Sequence, residues 1–244
     1  MRERNKQASS HWALRNVVQN VLPKVLPEKV SKNYSLSYLS AVVVAFVLPS
    51  MALAHDEIRE SASHRFEEVA DGVWLATGSG SVYTMSNALV LVGSEDTLLV
   101  DSHVTAAASR ALIESLSVLT DKPVRYLVNS HYHFDHAHGN QSFPPGVEII
   151  GHEYTRMKLN GEAGNVLEEV TFKSFSDPVP GTVRSLERQA ADASSGERRE
   201  QLLQQAKVQR DYMEAIKEIV PTPPNITLES KMTLFQTLEG GNRE

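Results

Sequence analysis

The chain has 244 residues, 41% of them hydrophobic and 22% charged, which is ordinary for a globular protein and long enough for one sizeable core. It contains no cysteine, which excludes a disulfide framework, thiolate metal ligands and a cysteine nucleophile. The formal net charge of −6 conceals a division: residues 1–54 carry seven Lys/Arg against two acids, and the rest carries 17 basic and 28 acidic residues, a net −11. An acidic body without a basic stripe argues against a nucleic-acid partner, because phosphate binding needs a basic surface.

In chain order, the basic stretch leads into "LSYLSAVVVAFVLPSMALAHD", an apolar run that ends in Ala52-Leu53-Ala54. A basic n-region, a short h-region and an A-x-A site describe a secretory signal peptide. Leu36 to Leu48 is shorter than the ~20 residues that span a bilayer as a helix. Residues 1–54 are therefore expected to be removed after Ala54, leaving a periplasmic or secreted protein with no stable membrane span.

From Asp71 the sequence predicts short strands at 72–78, 81–93 and 96–102, rich in Val, Leu and aromatics and bounded by Gly, Ser and Asp. "TAAASRALIESLSVLT" (105–120) follows, with Leu112, Leu116 and Leu119 at helical spacing and Asp121-Lys122-Pro123 closing it. "VRYLVNS" (124–130) is a strand apolar enough to be buried on both faces. "GVEIIG" (146–151) is another, continued by a short helix from His152 to about Leu159. This strand–helix–strand rhythm belongs to an α/β fold.

Residues 160–224 change character to Glu, Gln, Arg and Ala. They predict a helical insertion with helices at about 182–193 and 197–219, broken near Ser194-Ser195-Gly196, that covers a sheet face or pairs with another subunit, the alternative being a substrate lid. "PTPP" (221–224) ends it, and residues 225–244 resume strand character at 226–236.

The chemistry concentrates in "NSHYHFDHAHGN" (129–140), directly after the strand at 124–130 and at its carboxyl end, where open α/β sheets place their ligand sites. His131 and His133 leave the same face of an extended segment and can chelate one ion through ring nitrogens at about 2.0–2.1 Å. Asp135 and His136 follow where the chain turns, so they can address a second ion about 3.5–4 Å away. Without cysteine, imidazole and carboxylate donors suit zinc, iron or manganese. Gly139 and Asn140 suit the close turn after this short helix. His138 is expected on the rim or helix face, and His152 on the surface or behind the ligands. Ser86 and Asn87 are turn residues, and His64 has no partner in sequence.

H-x-H-x-D-H, extended to Gly139-Asn140, resembles the motif of the metallo-β-lactamase fold superfamily. "SNALVLVGSEDTLLVDS" (86–102) is similar to that family's early strand pair ending in an aspartate, and "GVEIIGHEYT" to its next strand and helix. The resemblance covers about 65–160 and again 225–240. It implies the N-terminal half of an αββα sandwich, with residues 55–159 and 225–244 in one domain interrupted by the insertion. It also implies that His131 and His133 hold a first zinc and Asp135 and His136 a second. On the same resemblance, Asp135 would orient metal-bound hydroxide for attack on a small-molecule lactam, lactone, thioester or other ester. Asp101 stands where it would fix a ligand imidazole, and His103 beside it is a candidate to approach the site.

The family's later G-x-x-H-T-x-G-D-like segment is not found before Glu244. On this reading the chain is C-terminally truncated, weakly active or inactive, and prone to self-association through uncovered strand faces. The alternative is a non-catalytic fragment or pseudoenzyme that binds metal weakly or serves as an interaction module.

Overall fold

The computed structural model describes residues 57–234, 237–238 and 241–242; the expected leader lies outside them. Eight strands form one mixed sheet in sequential order: β1 (Ile58–Glu60), β2 (His64–Ala70), β3 (Val73–Gly78), β4 (Ala88–Val92), β5 (Thr97–Val100), β6 (Val124–Val128), β7 (Glu148–His152) and β8 (Ile226–Leu228). Strands β1 to β5 pair antiparallel, and β5 to β8 pair parallel. The switch follows from the connections: turns join the first five, while α1 (Ala106–Ser115) crosses over between β5 and β6. A separate two-stranded ribbon pairs Thr237–Leu238 with Gly241–Asn242. No helix among the described residues is long and apolar enough to cross a membrane.

The main core lies where α1 covers the sheet. Leu112 and Leu116 meet Phe66, Trp74, Val90, Leu99 and Leu127, all buried. Helix α1 starts where Thr105 accepts a hydrogen bond from the Ala108 amide at 3.1 Å, satisfying one of the helix's free donors.

Several expectations need correction. The strand predicted over 81–93 begins only at Ala88, because the preceding segment turns through left-handed Gly80 (φ 90°) and Met85 (φ 63°). Burial of 124–130 on both faces also fails: Leu127 is buried, but Arg125 is exposed and pairs with Asp96 and Glu148 at 3.6 and 3.9 Å. Strand character at 226–236 is confined, among the described residues of that stretch, to Ile226–Leu228. Strands β1 and β2 precede the first predicted strand.

Within 160–224, α4 (Val170–Ser176), α5 (Val179–Ala191) and α6 (Gly196–Ala215) follow the short α3 (Glu153–Leu159). The break between α5 and α6 falls at the expected place, with Ser195 capping α6 through the Arg198 amide. The buried residues of these helices are not part of the core under α1. Phe172, Val179, Val183, Tyr212 and Ile219 pack instead on Val104, Ala108 and Phe134, with Val82, Tyr83 and Met85 at the edge. The helical segment thus buttresses the two loops that flank the histidine-rich turn.

Candidate metal centre

The end of β5 and the end of β6 build this site together. After Val100 the chain enters a tight turn in which Asp101 (φ 68°) and His103 (φ 64°) both adopt left-handed backbone. Such conformations cost non-glycine residues on the order of 1–3 kcal/mol and persist where surrounding contacts fix them. Here the contacts are plain: the Asp101 amide donates to Val128 O at 2.9 Å and the Ser102 amide to His136 O at 2.8 Å. The turn is thereby laced to β6 and to the loop that follows it.

Residues 129–133 leave β6 extended, and α2 (Phe134–Ala137) reverses the chain. Phe134 is buried and sets its ring 5.5 Å from Phe172, which anchors the turn while its neighbours stay accessible. His131, His133, Asp135 and His136 are consequently brought together. The His131 ring lies 4.7 Å from that of His133 and 4.2 Å from that of His136. Asp135 Oδ2 lies 3.2 Å from His136 Nε2.

Asp101 supports this group from behind. Its carboxylate accepts hydrogen bonds from the Ser130 amide (2.8 Å), the Ser130 hydroxyl (2.7 Å) and His136 Nδ1 (2.7 Å). The last bond is donated by Nδ1–H and turns Nε2 toward Asp135; with Nδ1 held by a carboxylate, Nε2 is the nitrogen that would be presented to a metal on losing its own proton. Burial lowers the His136 pKa, but its bonds to Asp101 and Asp135 outweigh that and raise it to about 9. Asp135 is affected by burial, which raises its pKa, yet His136 holds it below the usual carboxylate value. The His131 pKa is lowered by burial and by His136 and His133, which favours the neutral imidazole with its one free nitrogen lone pair.

Among the described residues, no three His, Asp or Glu side chains are set about one ion-sized position. The donors are gathered but satisfy one another, His136 between Asp101 and Asp135. The donor set nevertheless fits a borderline metal such as zinc: three imidazoles and a carboxylate in one accessible loop, with one imidazole oriented by a second carboxylate.

The remaining expectations divide. Gly139 does end the turn, but with an ordinary φ of −81°. Glycine is required because a Cβ there would lie 1.9 Å from Ser102 O. Asn140 is buried and exchanges amide hydrogen bonds with Asn129 at 2.8 and 3.0 Å, while accepting from Ser102 Oγ at 2.7 Å. His138, expected on the rim, is buried between Phe134 and Phe172, and burial lowers its pKa to about 4. His152 is exposed, caps α3 and reaches Glu229 O at 3.0 Å. His103 lies wholly inside, with Nε2 3.1 Å from His64 Nε2 and Nδ1 3.3 Å from Ser86 Oγ.

Sequence reasoning misses His64, Ser86 and Ser130 as parts of this assembly. Ser130 can be found, since it sits between the strand and the first histidine. His64 cannot, because only the pairing of β2 with β3 and the packing on α1 bring it near His103.

Residues 83–188 match the family model of the metallo-beta-lactamase superfamily. Among solved structures, the chain is similar to a metallo-beta-lactamase from Erythrobacter litoralis with beta-mercaptoethanol in its active site, at 26% identity and a TM-score of 0.36, covering 41% of this chain and 46% of that one. A metallo-beta-lactamase from Hirschia baltica gives 24% identity and a TM-score of 0.34, over 38% and 45%. The metallo-beta-lactamase FIM-1 from Pseudomonas aeruginosa, in a mono-zinc form, gives 20% and 0.34, over 40% and 46%. The chain therefore spans under half the length of these structures, and no curated protein matches it. Over residues 83–188, the stretch that carries the histidine loop, the chain is thus similar to the metallo-beta-lactamase superfamily.

Proposed function

We propose that this protein is an exported, zinc-dependent hydrolase acting on a small lactam, lactone, thioester or other ester. The observation that carries the reading is the meeting of His131, His133, Asp135 and His136 in one accessible loop, with Asp101 fixing His136 through Nδ1. His131 and His133 would hold a first ion, and Asp135 and His136 a second. A bound zinc would supply Lewis acidity and bring the pKa of water from about 15.7 to about 7. Asp135, still accessible beside His136, would orient the attacking group. The match to the superfamily model over 83–188 supports a metal-dependent hydrolase, and a donor set of imidazoles and carboxylate is in keeping with zinc.

Donors from a single loop leave each ion few protein contacts, so metal affinity and turnover in this chain are expected to be low. That same observation favours a second reading, a weak metal binder without catalytic activity. Assay of the 244-residue chain with added zinc, against a panel of lactams, lactones and esters, separates the two. Slow metal-dependent turnover that disappears in Asp135→Ala supports the hydrolase. Turnover unaffected by chelation or by Asp135→Ala contradicts it, and complete inactivity across the panel supports the second reading. Export rests on the sequence of residues 1–54, and intact mass of chain recovered from the cell envelope tests it: a chain that still retains those residues defeats it.

A further inference from the structure

Behind the loop lie two imidazoles that the proposed hydrolysis does not use. His64 begins β2 and His103 ends the turn after β5; both are wholly buried, with rings stacked at 5.2 Å and an angle of 18°. Their Nε2 atoms are 3.1 Å apart, so one must donate and the other accept.

The direction is fixed at the far end of the contact. Ser86 Oγ hydrogen-bonds to the main-chain carbonyl of Asp135, which can only accept, so the single Ser86 proton is committed there. Ser86 must then accept from His103 Nδ1, 3.3 Å away. A neutral His103 with its proton on Nδ1 presents a lone pair at Nε2, and His64 Nε2 is therefore the donor. His64 Nδ1 is left as an acceptor, facing Ser63 Oγ at 3.0 Å and Ser115 Oγ at 3.2 Å. Ser115 directs its own proton to Ala111 O at 2.6 Å and can accept from Ser61 Oγ at 2.8 Å, so Ser63, although it also lies 2.8 Å from Ser115 Oγ and 3.2 Å from Ala111 O, is the hydroxyl left to donate to His64.

We propose that Ser63, His64, His103 and Ser86 form one directional hydrogen-bond chain that ends on the Asp135 carbonyl and positions the metal-binding loop from behind. Its positioning role rests on the reading of that loop as a metal centre; the chain of bonds itself does not. Every buried polar atom along it gains a partner, which matters because an unmade buried bond is costly. Neutrality of both rings is consistent with their surroundings: burial lowers His64 to about 4, and burial together with His64 lowers His103 to about 3. His64 and His103 are thus positioning residues, and neither touches a reacting atom.

Nitrogen-15 NMR of the full metal-free chain at neutral pH tests the direction. The expected result is a proton on Nδ1 and none on Nε2 of His103, with the reverse at His64. The opposite tautomers, or a proton on all four nitrogens, would overturn the proposal. Positioning is read at the Asp135 carbonyl carbon, whose chemical shift should move in Ser86→Ala and stay in place in Ser86→Thr, which keeps the hydroxyl. A carbonyl that ignores both variants overturns the link to the loop. Zinc affinity should fall about tenfold in Ser86→Ala and recover in Ser86→Thr, the scale typical of losing a partner behind a metal ligand; equal affinity in all three chains would likewise refute positioning. If the wild-type chain takes up no zinc, the metal-centre reading fails, while the tautomers and the carbonyl shift still decide this one.

Discussion

Six histidines of this protein divide into two environments that use the same side chain in opposite ways. His131, His133 and His136 lie within one short accessible loop, in company with Asp101 and Asp135. His64, His103 and His138 are buried, come from three separate places in the fold, and lie against hydroxyls, aromatic rings and, for His64 and His103, each other. Carboxylates raise His136 to about 9 against the opposing effect of burial, whereas burial lowers His64 to about 4. The first group is assembled by sequence spacing and the second by topology. A histidine's neighbours, and not its presence, decide whether it serves as a ligand or as part of the scaffold.

The largest effect that should separate the two groups is acid sensitivity. His64 has a folded pKa of about 4 against an ordinary 6.5. Between those values the unfolded chain binds the extra proton, so stability falls as pH falls through that window. Its contribution is complete above the unfolded value and is lost as pH drops toward the folded one. About 3 kcal/mol is at stake for a shift of this size, on the order of 1.4 kcal/mol per pKa unit. Urea midpoints at pH 7 and pH 4 should show wild type losing about that much more than His64→Phe. Equal losses would mean that His64 is not held neutral, and the contrast between the groups would weaken.

A smaller effect sharpens the other side. Asp101→Asn keeps the size of the side chain and tolerates the left-handed backbone at this position, but removes the charge that orients His136. Zinc affinity should fall about 10- to 100-fold, with the thermal midpoint of the metal-free chain checked alongside. An unchanged affinity would show that His136 needs no orienting carboxylate.

Much of the fold is legible in the sequence itself. Strands at 72–78 and 96–102, the helix after Thr105, the strand and helix around His152, and the break near Ser195 all follow from period, caps and turn residues. The histidine loop is legible because its donors are adjacent in sequence. What escapes depends on distance. Strand β2 is mostly polar on its outer face (Arg65, Glu67) and owes its place to Phe66 in the core. Met85 is not a residue whose type announces left-handed backbone. Gly139 has the look of a turn glycine, yet the requirement comes from Ser102 O, 37 residues earlier in the chain. His138 has the look of a rim residue because nothing in its own segment shows Phe172 closing over it.

The central claim is that the accessible loop binds metal while the buried histidines support it. Zinc titration of the purified 244-residue chain, beside its His131→Ala/His133→Ala variant, tests that claim most directly. Weak, saturable uptake by the wild type that is lost in the variant is the predicted result; indistinguishable uptake by the two chains, or none by either, would contradict it.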